Sequence, residues 1–132
     1  FYSINGQDGK IIVTGGAIQR VDVSYSLAGA YAMKDDEWNL YDKYTQPLWE
    51  NGVWGIGSSA INPKNLEEVA LGGYCVNGLS IANGNQITDV YSASNSALEN
   101  TTLGNNMTCV SNLEYDKDGN LWIVNGYTAN PL

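Results

Sequence analysis

Three observations predict an all-β fold built from antiparallel four-stranded blades. The first is the stretch Tyr115-Asp116-Lys117-Asp118-Gly119-Asn120-Leu121-Trp122-Ile123-Val124-Asn125-Gly126-Tyr127. It reads as a turn, then an apolar strand, then Asn-Gly. Gly119 supplies positive φ and the Asp and Asn side chains bond nearby backbone. The run Leu121–Val124 does not alternate, which predicts a strand covered on both faces. The second observation is that the pattern occurs twice earlier in the chain. The third is composition: 15 glycines and 9 tyrosines against only 15% charged residues, a balance that suits short strands joined by tight turns.

The three copies align at Lys10–Gly16 after the turn Gln7-Asp8-Gly9, at Glu67–Gly73 after Asn62-Pro63-Lys64-Asn65, and at Asn120–Gly126. Gly16, Gly73 and Gly126 mark equivalent positions, 57 and 53 residues apart. Ser58–Ile61 and Asn112–Tyr115 are strands that lead into the second and third turns. Two further pieces follow the first and second copies. Gly29–Met33 passes through Lys34-Asp35-Asp36 into Glu37–Tyr41, and Gly78–Ala82 passes through Asn83-Gly84 into Asn85–Tyr91. Asn-Gly between two such runs is a strong hairpin signal. The repeating unit is therefore strand, turn, strand, Gly, strand, hairpin, strand. Four antiparallel strands in about fifty residues match a β-propeller blade.

This places one blade at 1–50, a second at 51–100 and part of a third at 101–132, together about two and a half blades of an incomplete propeller. Ala17–Ala28 is an insertion on one rim, and Ser92–Asn106 is a polar linker. Blades bury their faces against neighbouring blades, and closed rings need four to eight of them. The sequence thus predicts open strand edges and self-association of copies through them. The chain opens on Phe-Tyr-Ser-Ile with no charged region or hydrophobic leader and reads as an excised piece of something larger.

Charge and composition exclude several functions. The net charge is −8 with six basic residues, which argues against a nucleic-acid backbone or an anionic membrane surface as partner. No run is long and apolar enough to insert in a membrane. There is no histidine, so the usual general base, zinc ligand and pH switch are missing. Cys75 and Cys109 fit no metal spacing; they read as two small buried side chains, with a disulfide open in an oxidising compartment. Asp116, Asp118 and Asn120 have the first spacings of a calcium loop, but Leu121 and Tyr127 stand where Gly and an acid are needed. Asp35-Asp36-Glu37 reads as a solvated hairpin tip, and Glu67-Glu68 as a strand start. No nucleophile elbow or phosphate loop is present. Asn100-Thr101-Thr102 and Asn106-Met107-Thr108 match the glycosylation acceptor pattern. These features predict a non-enzymatic chain with no catalytic residue, metal or cofactor.

Aromatic residues are the remaining candidates. Trp38 and Trp122 lie inside strands and are expected to pack between blades. Trp49 and Trp54 flank the connection Glu50-Asn51-Gly52 and, with Tyr25 and Tyr74, are the candidate rim surface for a protein or glycan partner.

Asp118-Gly119-Asn120-Leu121-Trp122-Ile123-Val124-Asn125 resembles the two-component-regulator propeller repeat of Bacteroidetes, in which Gly-Thr is usual where this chain has Val124-Asn125. The second unit, with Asn62-Pro63-Lys64, Gly78-Leu79 and Asn95-Ser96-Ala97-Leu98, is similar to the blades of PorZ-like components of the type IX secretion system. The resemblance spans most of residues 8–127. It implies a periplasmic or cell-surface scaffold of a Gram-negative bacterium, in a large protein with propellers and a β-sandwich that helps attach secreted cargo to lipopolysaccharide. No segment of this chain resembles that sandwich. The same blade type in hybrid two-component sensors implies the alternative, a periplasmic propeller segment responding to glycans.

Overall fold

The computed structural model describes residues 3–15, 29–50, 55–74, 78–102 and 106–131. The described residues form ten strands, one short 3-10 turn at Pro47–Trp49 and no α-helix. The first sheet holds β1 (Ser3–Gln7), β2 (Lys10–Thr14), β3 (Ala30–Lys34) and β4 (Glu37–Tyr41), in sequence order. The second holds β5 (Ile56–Ile61), β6 (Glu68–Gly73), β7 (Leu79–Asn83) and β8 (Gln86–Tyr91), again in order. β9 (Val110–Tyr115) and β10 (Leu121–Asn125) pair as a third, two-stranded sheet. Every pairing is antiparallel. The expected blade architecture is the observed one.

The turns follow from residues that tolerate positive φ. Asp35 and Asp36 both adopt it (52° and 63°) at the β3–β4 hairpin tip, the combination a type I′ turn requires. The β7–β8 turn sits one residue later than the Asn-Gly signal indicates. Asn83 pairs with Gln86, so Gly84 and Asn85 are the central residues, and Gly84 has φ 59°.

The sheets stack face to face, with the second in the middle. Because side chains alternate across a strand, each sheet has two faces. Ile12, Ala30, Ala32 and Tyr41 of the first sheet meet Ile61, Val69, Leu71, Ala82 and Ile87 of the second in one buried cluster. The opposite face of the second sheet, Ala60, Ala70 and Leu79, packs on Val110, Leu113, Leu121 and Ile123 of the third.

Register also corrects the repeat alignment. The N–H of Gly15 bonds the Gly29 carbonyl, that of Gly73 bonds Gly78, and that of Asn125 bonds Pro131, at 3.0, 2.7 and 2.8 Å. The structurally equivalent positions are therefore Gly15, Gly73 and Asn125. The glycine markers of the first and third copies stand one residue too far along, because the turns before the strands differ in length.

The connection from β4 to β5 is fastened to the second sheet. Asp42 accepts from the N–H groups of Tyr44 and Thr45. Gln46 is buried and bridges the outer edge of β8: its Nε2 donates to the Asn85 carbonyl at 3.0 Å and its Oε1 accepts from the Ile87 N–H at 2.7 Å. The side-chain amide thus satisfies an edge strand as a neighbouring strand would.

Candidate functional site

Of the four rim candidates, Tyr25 and Trp54 lie outside the described residues. Trp49 is not on a surface. It is 1% exposed and its Nε1 donates to Ser80 Oγ at 3.0 Å across the first interface. The 3-10 turn that starts at Pro47 aims the ring inward, which residue type and loop position alone do not reveal. Tyr74 does lie at the rim, where its hydroxyl meets that of Tyr127 at 2.8 Å. Their rings are edge to face with centroids 6.2 Å apart. Tyr127 carries φ 59°, strained for a bulky side chain. Its carbonyl is held by the N–H and hydroxyl of Thr102 at 2.8 and 3.0 Å. Tyr127 was not among the candidates. Gly73-Tyr74 and Gly126-Tyr127 look alike in the sequence, but the register makes Tyr74 equivalent to Gly126, so the two tyrosines are not repeat-equivalent.

The two tryptophans expected between blades are instead exposed. Trp38 is 57% and Trp122 64% accessible. Lying in a strand does not decide which face a residue occupies, and both sit on outward faces. Trp38 belongs to the free face of the first sheet, where the register also places Ile4, Val13, Tyr31 and Leu40. Ile4 there is 68% accessible. Trp122 and Val124 occupy the free face of the third sheet, so β10 is covered on one side only. An open apolar cleft of about 530 Å³ lies beside β10, lined by Leu79, Tyr91, Leu98, Leu121 and Ile123 among others.

The chemistry-bearing side chains are engaged in holding the sheets together. Lys10 is buried and its Nζ donates to the Leu66 carbonyl at 2.7 Å; burial lowers its pKa. Lys34 forms an ion pair with Glu67, which raises the lysine pKa and lowers that of the glutamate. Glu68 Oε1 accepts from Asn62 Nδ2 and from the Tyr115 hydroxyl, both at 2.8 Å. Burial, with Glu67 nearby, pushes Tyr41 up to about 12. Among the described residues no group of three His, Cys, Asp or Glu could hold a metal.

Asp116 explains the Asp-Gly-Asn-Leu-Trp motif. Its Oδ1 accepts from the N–H groups of Asp118 and Asn120 at 2.9 and 3.0 Å. Its Oδ2 accepts from Asn120 Nδ2 and Trp122 Nε1 at 2.9 and 3.1 Å. Gly119 closes the turn at φ 87°. The bonds from Asn120, then from Trp122, hold the carboxyl down at about 2 against its usual 3.8. Because the folded pKa is depressed, the turn's contribution to stability is complete above about pH 4 and is lost as pH falls toward 2. Carboxyl NMR titration is expected to show an Asp116 midpoint near 2. Asp116→Ala is expected to remove the part of acid unfolding that falls in this window; a midpoint near 4 in the parent would contradict it.

Asn125, where the resembled repeat has Thr, ties the third sheet to the preceding connection. Its Oδ1 accepts from the Glu99 N–H at 2.6 Å, and its Nδ2 donates to the Cys109 and Glu99 carbonyls at 2.9 and 3.2 Å. Cys109 is fully buried and disulfide-bonded, so it is not the free small side chain expected. The sequence has one other cysteine, Cys75, outside the described residues. A non-reducing digest is expected to link the two. Reduction is expected to cost about 3–4 kcal/mol, the loop-closure value for a span of this length, read as a lower Tm in reductant. An unchanged Tm would contradict it.

The stacked four-stranded antiparallel sheets define a propeller-type blade array. A solved structure shares it: PorZ, described as an essential bacterial surface component of the type IX secretion system of Porphyromonas gingivalis, superposes with a TM-score of 0.78 at 20% identity. The match covers 96% of this chain but only 17% of that one. No family model and no curated protein matches the chain. Among the described residues, no helix is long and apolar enough to cross a membrane.

Proposed function

We propose that this chain is a non-enzymatic binding or scaffold segment of an extracytoplasmic propeller, acting in a PorZ-like role in type IX secretion, with units at 1–50, 51–100 and 101–132. The observation that carries the reading is the likeness of the blade stack to PorZ across nearly the whole chain. Three features support it. The ionisable groups Lys10, Lys34, Glu67, Glu68 and Asp116 have structural partners. The free face of the first sheet offers Ile4, Tyr31, Trp38 and Leu40 to a protein partner. The disulfide fits an oxidising compartment.

The test is made in the bacterium that encodes the chain. Protease shaving of intact cells is expected to remove an epitope in this segment while a periplasmic marker survives. Deleting the gene is expected to stop export of type IX cargo. An epitope that is protected with the periplasmic marker, together with normal export, would contradict the reading.

A further inference from the structure

Tyr74 and Tyr127 bring two phenols together at the rim where the second and third sheets meet. Their hydroxyl oxygens are 2.8 Å apart, and their rings stand at 81° with centroids separated by 6.2 Å. Among the described residues this is the tyrosine pair in ring contact. Tyr41 and Tyr115 donate their hydroxyls to the Gly84 carbonyl and the Glu68 carboxylate instead. Tyr127 is exposed and Tyr74 is half-buried, so small reagents reach both rings.

The backbone fixes both residues where they meet. The Tyr74 N–H donates to the Gly55 carbonyl at 2.8 Å, and the Gly126 N–H, just before Tyr127, donates to the Cys109 carbonyl at 2.8 Å. Thr102 holds the Tyr127 carbonyl with its N–H and its hydroxyl, at 2.8 and 3.0 Å. These contacts keep Tyr127 at φ 59°, a conformation that costs a bulky side chain and persists only where the surroundings impose it. Cys109 is disulfide-bonded, and the residue that follows Tyr74 is the other cysteine of the sequence, Cys75. Two phenols held in this way react within one molecule, at an effective concentration far above that of separate tyrosines.

We propose that Tyr74 and Tyr127 form an oxidative cross-linking site, joined as dityrosine by hydrogen peroxide and a haem peroxidase. Each phenol gives up one electron and one proton. The two phenoxyl radicals then form a carbon–carbon bond between the ring carbons ortho to their hydroxyls. Each ortho hydrogen leaves its carbon as a proton and returns to the oxygen of its own ring, which restores both aromatic rings. One peroxide takes up the two electrons and two protons and leaves as two waters. The product keeps its two hydroxyls side by side across the new bond, as they already stand here, and side-chain rotation closes the remaining gap between the rings. The link ties the second sheet to the third by a bond that thiols leave intact, whereas a disulfide opens by exchange with them.

The test adds a haem peroxidase and hydrogen peroxide to the dilute intact chain and reads dityrosine fluorescence, then peptide mass mapping after reduction. A single chain that has lost two hydrogen atoms and carries a Tyr74–Tyr127 cross-link is expected. The share of chains linked in this way is expected to stay unchanged on dilution. Tyr127→Phe, which keeps the ring and removes the phenol, is expected to abolish that link. Tyr44→Phe, which removes a tyrosine that is 80% exposed, is expected to retain it. Absence of dityrosine, linkage only between separate chains, or Tyr74 joined equally well to other tyrosines would overturn the proposal. So would an equal yield of dityrosine within single chains of the Tyr127→Phe variant.

Discussion

Trp49→Ala is expected to destabilise the chain by about 3–5 kcal/mol, the range for truncating a fully buried large aromatic. The indole fills the first interface from outside the strands and spends its only polar hydrogen on Ser80 Oγ. Truncation removes that packing and leaves a buried hydroxyl without its donor. Trp49→Phe keeps much of the packing but forfeits the bond, so a smaller loss is expected, on the order of 1–3 kcal/mol. Urea unfolding of the two variants separates the contributions. An alanine variant within about 1 kcal/mol of the parent would mean that the β4–β5 connection does not pack as described.

Gly29→Ala is expected to be comparably damaging for a different reason. A Cβ at Gly29 would lie 1.5 Å from the Tyr41 carbonyl oxygen, and one at Gly78 would lie 2.1 Å from that of Tyr91. In both four-stranded sheets the fourth strand ends directly against the glycine that precedes the third. The clash is with backbone, which no rotamer relieves, so the cost belongs at or above the upper end of the usual overpacking range, about 3 kcal/mol. Gly6→Ala serves as the control, since its nearest contact would be an ordinary 3.7 Å. A Gly29→Ala variant as stable as the Gly6→Ala variant in thermal unfolding would refute the close approach.

The strand order was legible because its signals are local. Asp8-Gly9, Asp35-Asp36, Gly84 and Gly119 take positive φ where turns demand it, and apolar runs fill the intervals. Which face each strand buries was less accessible. Leu121-Trp122-Ile123-Val124 has no alternation to read, yet only Leu121 and Ile123 meet the second sheet. Trp122 faces outward and satisfies its N–H on Asp116. The one-residue slip in the glycine alignment has the same origin: turn length sets register, and the three turns differ. Trp49 was misread because its burial depends on a partner 31 residues away, beyond the reach of local pattern. The Tyr74–Tyr127 contact was not legible, since the two tyrosines stand at non-equivalent positions of the repeat and meet only when adjacent sheets stack.

The central claim is that the second sheet is covered on both faces while the outer sheets are covered on one. Native-state amide hydrogen exchange on dilute, monomeric chain tests it most directly. The account predicts the slowest exchange in β6, at Val69, Ala70 and Leu71, which are fully buried between neighbouring strands and both adjoining sheets. β4 and the free edge of β10 should exchange much faster. Exchange in β6 as fast as in β4 and β10 would contradict the stack.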